Sequence, residues 1–403
     1  MQPAKRFAMV TGWFRSVQVS RMVSLSQVFG GNSKSRCLTI SLPLVLTLVC
    51  AALVTGCQPS AKAPALEAKG ETDGPETVSN GPSRSETLRA VRARGTLRCG
   101  VSTGQIGFAF PDNRGRWTGF DVDFCRATAA AIFGDPERVT FVPLASKDRI
   151  TALKAGRVDV LWRNTSSSFS RDVTEGVDFA GVNYYDGQGF LVRRSLNLTS
   201  ATELGGARIC VLTGSTSALN VQDYFTANAL NYDPVPVQTE AQAREAYAAE
   251  KCDALTSDIA ELAAVRSTLD GPQGHMILPD VIAKEPLGPV VRQGDPAWAD
   301  LIRWTLNVLI LAEELNISRE TLEDVAQTSN SPEVRRLLGL EGQFGKSLGL
   351  SDRWAYNAIK AGGNYGEIFE RNLGAKSALN LDRGHNALWS APRPGLIYAP
   401  PFR

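Results

Sequence analysis

From residue 97 onward the chain alternates short apolar runs with amphipathic stretches. Residues 97–101 (L-R-C-G-V) read as a buried strand. Residues 121–133 carry Phe124, Cys125, Thr128, Ala129, Ile132 and Phe133 at helical spacing, which predicts a helix capped by Asp121. A strand at 139–143, a helix at 148–155 closed by Gly156, and a strand at 158–162 complete the unit. Strand–helix–strand–helix–strand alternation predicts a parallel sheet with right-handed crossovers. The pattern then restarts. Strands are expected at 190–193, 208–212, 234–238 and 252–256, and helices at 217–227, 239–249 and 258–267. Residues 298–314 form a longer amphipathic helix with Leu301, Ile302, Leu306, Leu309 and Ile310 on its apolar side. The outcome is two α/β lobes joined by two extended crossovers, near 188–192 and 282–288, with a cleft between them.

The first part of the chain has another character. Residues 38–55 are apolar, broken by Pro43 and preceded by Lys34 and Arg36, which is a signal-peptide core. It ends in V-T-G-C at 54–57, a lipobox pattern in which Cys57 receives a lipid; an ordinary export signal and an uncleaved anchor are the alternatives. The long stretch before the apolar core points to Met22 as the initiating residue. Residues 58–86 are rich in Pro, Ser, Ala, Gly and Glu, with too few large apolar side chains to offset chain entropy. A signal peptide over 1–56 and a disordered tether over 57–87 are therefore expected, with the folded body in the periplasm or cell envelope, anchored to the membrane by lipid.

Composition removes some functions. The 403 residues carry a formal charge of +2 and no Lys/Arg run with interleaved aromatics, so nucleic acid is not an expected partner. His275 and His385 have no ligand-type neighbours at metal spacing, and neither a metal nor a cofactor is expected. If Cys37 and Cys50 leave with the leader and Cys57 takes the lipid, Cys99, Cys125, Cys210 and Cys252 remain. Cys99 lies in the first strand and Cys125 in the helix packing on it, while Cys210 and Cys252 lie in strands of the second lobe. Disulfides 99–125 and 210–252 are expected in an oxidising compartment; four small buried hydrophobes are the alternative.

The segment R-N-T-S-S-S-F-S-R (163–171) sets Asn164, Thr165, Ser166 and Ser168 ahead of Arg171. It is expected as a loop at the carboxyl end of a strand, where open α/β sheets bind ligands. A guanidinium fork with nearby hydroxyls suits a carboxylate. A second polar turn, T-G-S-T-S (213–217), opens a helix. There Ser215 and Thr216 serve as caps, as an anion site on the free N–H groups, or as both. Asp258 ends a strand and begins a helix, so it is either a cap or a free anion.

These segments stand in order with G-F-D-V-D-F-C-R-A (119–127), N-Y-Y-D-G-Q-G-F (183–190), K-E-P-L-G-P (284–289), N-Y-G-E-I-F-E-R-N (364–372) and Y-A-P-P-F-R (398–403). Together they resemble the extracellular solute-binding proteins of family 3, and most of all the general L-amino-acid binding proteins of ABC importers. The resemblance spans residues 88–403. It implies an α/β, two-lobed periplasmic-binding-protein fold of type II with a hinge of two crossover strands. Lobe 1 would comprise 88–189 and 286–403, including a C-terminal extension from about residue 332, and lobe 2 would comprise 190–285.

The resemblance also implies roles. Arg171, five residues after Ser166, matches the clamp for an α-carboxylate. Ser166 and Asn164 match residues that bind the α-carboxylate and α-ammonium, with Ser168 beside them, and Asp258 matches the partner of the ammonium. The loop 102–110 forms a further wall with Gln105 as a contact, while Phe108 is a contact or a core residue. Ser146 and Lys147 lie in another loop that reaches the ligand side chain. Ser167 stands where general amino-acid binders tend to have an aromatic residue, a departure that widens or wets the pocket. The implied protein is a monomeric receptor, not an enzyme, which delivers L-amino acids to permease subunits. A prephenate- or arogenate-type dehydratase would need a positioned general acid that the cleft loops do not offer. A sensory receptor would need a separate signalling partner.

Overall fold

The computed structural model describes residues 85–403; the leader, Cys57 and most of the expected tether lie outside them. The described chain opens with α1 (Glu86–Arg94), capped by Ser85 and closed by Gly95 in the left-handed conformation. Glu86 and Thr87, expected in the tether, belong instead to the folded body. Asp295 fixes them there by accepting the Thr87 N–H at 2.9 Å.

The first lobe continues with β1 (Leu97–Val101), the hairpin β2 (Phe110–Pro111) and β3 (Trp117–Thr118), α2 (Phe120–Phe133), β4 (Val139–Pro143) and α3 (Arg149–Lys154). Then come β5 (Val160–Ser166), α4 (Phe169–Thr174), β6 (Val177–Phe179) and the long β7 (Tyr184–Arg193). The second lobe holds β8 (Arg208–Leu212), α5 (Thr216–Ala227), β9 (Asp233–Val237), α6 (Glu240–Ala248), β10 (Ala254–Asp258), α7 (Ile259–Ser267) and β11 (His275–Ile277). The chain returns along β12 (Ala283–Arg292) into α8 (Pro296–Glu314). It ends in α9 (Leu322–Thr328), α10 (Pro332–Leu337), α11 (Phe344–Leu348), α12 (Trp354–Gly362), α13 (Tyr365–Asn372) and a largely irregular tail.

Two local expectations change. Asp121 is not the cap of α2: that position is Gly119, with φ 135° and no side chain to bond. A Cβ on Gly119 would meet the Phe108 carbonyl oxygen at 2.1 Å, so only glycine lets α2 begin against that backbone. Residues 163–166, expected in a loop, extend β5 instead. The cause is β12, which lies antiparallel beside them with Ser166 opposite Leu287 and Thr165 opposite Gly288. Ladder pairing with a neighbour outweighs the polar composition of the stretch.

One sheet runs through both lobes in the order β4-β1-β5-β12-β7-β10-β8-β9. The first-lobe strands β4, β1 and β5 are parallel, as are β10, β8 and β9 in the second. Between them β7 and β12 pair antiparallel from Tyr184–Leu287 to Gln188–Ala283. This pair carries both crossings of the chain. On β7 the joint begins a few residues earlier than the hydropathy pattern placed it.

The first-lobe core is aromatic. Phe124 stacks on Trp162 at 4.7 Å, while Phe120 meets Tyr365 edge-on at 5.9 Å. Tyr365 and Phe369 come from α13, so the C-terminal extension completes this core. It also reaches the joint. The Asn386 side chain accepts the Tyr185 N–H at 2.7 Å and donates to the Tyr185 carbonyl at 3.0 Å. Two smaller clusters, around Leu255 and around Phe190, fill the second lobe.

Cys99 is bonded to Cys125, tying β1 to α2, and Cys210 to Cys252, tying β8 to the turn before β10. Both expected pairs are present. Replacing Cys210 and Cys252 together by alanine is expected to cost about 4 kcal/mol, from the entropy of the chain loop it opens. Urea unfolding followed by circular dichroism checks this, and an unmoved midpoint would contradict it.

Candidate functional site

The first-lobe wall is built where β5 ends. Arg171 lies in α4 and is 6% exposed. Its Nη1 donates to the Ser166 carbonyl at 2.9 Å, which folds the side chain back across the strand end. Ser168 caps α4 by accepting the Arg171 N–H at 3.5 Å. Among the described residues no carboxylate lies within ion-pair distance of Arg171. Burial lowers its pKa, while the charges of Glu175, Glu285 and Asp258 act the other way. Asn164 adopts φ 25°, a left-handed conformation that asparagine tolerates better than most residues. The buried Asp121 carboxylate holds it by accepting its N–H at 3.1 Å.

The second-lobe wall comes from the ends of β8 and β10. Ser215 caps α5, accepting the Ala218 N–H at 3.3 Å and donating to the Leu212 carbonyl at 2.6 Å. Thr216 begins the helix, and its hydroxyl donates to Glu285 at 3.0 Å. Asp258 precedes α7 yet makes no side-chain cap bond. The cap is Asp186 of β7, whose carboxylate accepts the Ala260 N–H at 3.2 Å. This resolves the double reading of Asp258, because a neighbouring strand does the capping. Asp258 is 7% exposed and accepts no side-chain hydrogen bond among the described residues. Burial raises its carboxyl well above the usual range, helped by the charges of Asp186, Glu285 and Glu261 and opposed by Arg149.

The walls touch. Ser166 Oγ and Thr216 Oγ1 lie 3.2 Å apart, and Lys147 Nζ donates to Gln238 at 2.8 Å. Arg163, 1% exposed, donates to Glu240 of α6 at 2.6 Å and to the Leu144 carbonyl at 3.0 Å. Glu240 also accepts the Thr103 hydroxyl. Burial would raise the Glu240 carboxyl, but Arg163 and Thr103 outweigh it and the group lies below its ordinary value. Between the walls is a cavity of about 680 Å³, lined by Arg149, Arg171, Ser146 and Lys147 on one side and by Ser215 and Thr216 on the other. A recess of about 730 Å³ beside α1 and α8 contains none of these residues.

Arg171, Ser168, Ser215 and Thr216 thus line one cavity, with Ser166 against Thr216. Asn164 turns its side-chain oxygen to Arg163 at 3.3 Å. Gln105 lies apart, at a small void beside Glu240 and Glu261, with both amide atoms buried and unpaired. Phe108 is a core residue: it is 1% exposed and its ring packs edge-on against Phe120 and Tyr184. No face of it is left for a ligand. Three residues of the site escaped the sequence reading, namely Arg149, Glu240 and Asp186. Arg149 had a signal, for it shares the buried face of α3 with Ala152 and Leu153. Among the described residues no cluster is suited to a metal, and no helix is long and apolar enough to cross a membrane.

Two α/β lobes on a shared strand pair, with unpaired charges of both signs between them, make a clamshell binding protein. Residues 97–320 match the family model of the bacterial extracellular solute-binding proteins, family 3, and the chain belongs to that family. It is 51% identical over 323 residues to the glutamate/glutamine/aspartate/asparagine-binding protein BztA of Rhodobacter capsulatus, covering 80% of this chain and 95% of that one. It is 50% identical to the general L-amino acid-binding periplasmic protein AapJ of Rhizobium johnstonii, over 79% of this chain and 93% of that one. A solved structure of an ABC transporter periplasmic binding protein from Brucella ovis, with glutathione bound, shares 50% identity and superposes with a TM-score of 0.77. That match covers 79% of this chain and all of the other (100%).

Asp121 gives a test of this wall. Burial pushes its carboxyl up to about 7, against the Asn164 N–H, the Arg163 charge and Asn183, which favour ionisation. In the unfolded chain the same group releases its proton near 3.9. The folded state therefore binds this proton more tightly, and the stability it contributes is lost as pH rises from about 4 to about 7. Asp121→Asn is expected to flatten the fall in melting temperature between pH 5 and pH 8. A steeper fall in the variant would contradict the assignment.

Proposed function

We infer that this chain is the substrate-binding receptor of an ABC importer and that it captures L-amino acids between its lobes. The observation that carries the reading is a buried cation on the cavity wall whose field includes a buried carboxylate of the opposite lobe. Arg171 is a buried cation without an ion pair, and Asp258 a buried carboxylate without a hydrogen bond. A free amino acid is a zwitterion whose carboxylate and ammonium share one carbon. It offers each wall the partner it lacks, with Ser166, Asn164 and Thr216 as further polar contacts. The relatives' amino-acid-binding names support the same reading.

Delivery follows from closure. Arg163–Glu240, Ser166–Thr216 and Lys147–Gln238 all join the lobes, so they exist only in the closed form. A ligand that bridges the walls shifts the open–closed equilibrium towards that form, which is the one a permease would recognise. Cys57 would hold the receptor to the membrane by a lipid, with the segment up to α1 as spacer, and the receptor would act as a monomer.

Calorimetry with a panel of L-amino acids, on protein freed of co-purified ligand, tests the reading. Arg171→Met is expected to lower affinity by about 100-fold, the scale of a buried charge left unpaired. No binding at millimolar ligand in the parent protein would refute the function. Affinity is also expected to fall on acidification, beginning well above pH 4, because a proton and the ammonium compete for Asp258. A pH-independent affinity between pH 5 and pH 8 would remove Asp258 from the site. Metabolic labelling with palmitate tests the anchor: label is expected in the parent and absent in Cys57→Ser.

A further inference from the structure

Away from the ligand cavity the lobes meet at a second buried contact. Gln105 of the first lobe is 3% exposed, and neither polar atom of its amide has a hydrogen-bond partner. It borders a cavity of about 10 Å³ whose far wall is second-lobe, with Glu240 and Arg244 of α6 and Glu261 of α7. That is room for a single water and nothing larger. A buried amide without partners is unfavourable, so this seam is short of a donor and an acceptor.

The two carboxyl groups here differ in how they are answered. Glu240 has Arg163 at 2.6 Å and the Thr103 hydroxyl as well. Glu261 is 6% exposed, and its Oε2 accepts the Ser257 hydroxyl at 2.7 Å. Among the described residues no cation pairs with it, and the half-buried Arg244 lines the cavity without an ion pair. Burial pushes the Glu261 carboxyl up to about 7, helped by the charges of Glu240 and of Asp186 on β7 and opposed by Ser257 and Arg163. Asp258, which ends β10 just before the helix, carries a like charge. His275 of β11 lies at the last turn of α7, beside Arg266, and is bonded to the Tyr247 hydroxyl. A carboxylate kept out of water without a cation is costly, and a proton removes the cost.

We propose that this seam is a proton-binding site of the closed receptor, in which Glu261 takes a proton from solvent as the lobes close and donates it across the cavity to the Gln105 side-chain oxygen. The inference rests on the reading of the molecule as a receptor that closes around an amino acid. Closure lays Gln105 over Glu261, removes water from the carboxyl and supplies its acceptor. In the open form the same group meets water, where a glutamate releases its proton near 4.3. The closed form therefore holds this proton more tightly. Its advantage is full below about pH 4 and is lost as pH rises to about 7. Acidification weakens binding through Asp258 with or without Glu261, so Glu261 makes that fall less steep.

The test is calorimetry of L-glutamine binding, with L-alanine as a second probe, at pH 6 in two buffers of different ionisation enthalpy. The comparison counts the protons exchanged on binding. Glu261→Gln is expected to take up about one proton fewer than the parent. Gln105→Lys answers the carboxylate with a cation and is expected to remove the same proton, so it decides the matter should Glu261→Gln fail to fold. From pH 8 to pH 5 the parent should gain at least about tenfold in affinity relative to Glu261→Gln. Equal proton counts in the parent and the variants would overturn the proposal, and would mean that Arg244 keeps the carboxylate ionised in the closed form. So would a Glu261→Gln protein that binds more weakly by the same factor at every pH, for that is the signature of a structural role. A parent that binds no amino acid brings down the receptor reading itself. A parent that binds, with a proton count the variants share, leaves that reading intact and removes only the proton site.

Discussion

Buried charge without a counter-charge is the constraint on which the rest of this molecule turns. Water solvates an ion far better than a protein interior does, so an ion kept inside must be paired, neutralised or answered by a guest. The cleft uses all of these. Arg163 is paired with Glu240 across the lobes. Glu261 is held near neutrality, with its carboxyl pushed up to about 7 chiefly by burial, with the Glu240 charge adding to it. Arg171 has no ion pair and Asp258 no side-chain hydrogen bond among the described residues, and the proposed function gives both to a guest. Two lobes whose chain connections are β7 and β12 can open to admit one and close to shield it.

Selectivity of this kind depends on keeping the right groups idle. Hydrogen-bonding residues in a crowded cleft tend to satisfy one another, and most of these do. Ser168 and Ser215 cap their helices, and Glu285 accepts from Thr216 and Asn220. Asp258 escapes because Asp186 takes over the start of α7. A preorganised site of this build needs little rearrangement of its own when a ligand arrives.

How much of this was legible in the sequence varied with the range of the interaction. Elements with their own periodicity, such as α2 and α8, were plain, because their apolar spacing is local. The anionic and cationic ends of the site, Asp258 and Arg171, stood out through strand-end position and ordered motifs. What stayed hidden depended on contacts between distant segments. β5 reads as ending at Trp162 until β12 is laid beside Ser166. Asp258 stays open between cap and free anion until Asp186 arrives from a strand more than seventy residues earlier. Phe108 stays open between contact and core until Tyr184 and Phe120 close on its ring, which settles it as core. Glu240 looks like an ordinary first-turn carboxylate, and only the closed lobes reveal its partner.

The contact between Asn386 and Tyr185 has a mechanical meaning. Tyr185 faces Pro286 on one edge of β7, and on the other edge it meets the Asn386 amide, which bonds both its N–H and its carbonyl as a neighbouring strand would. A peptide gripped on that edge resists torsion. The joint is thereby stiffened at Tyr185, one residue before Asp186, whose carboxylate caps α7 behind Asp258. The C-terminal tail thus braces, as an added strand edge would, one end of the strand pair that joins the lobes.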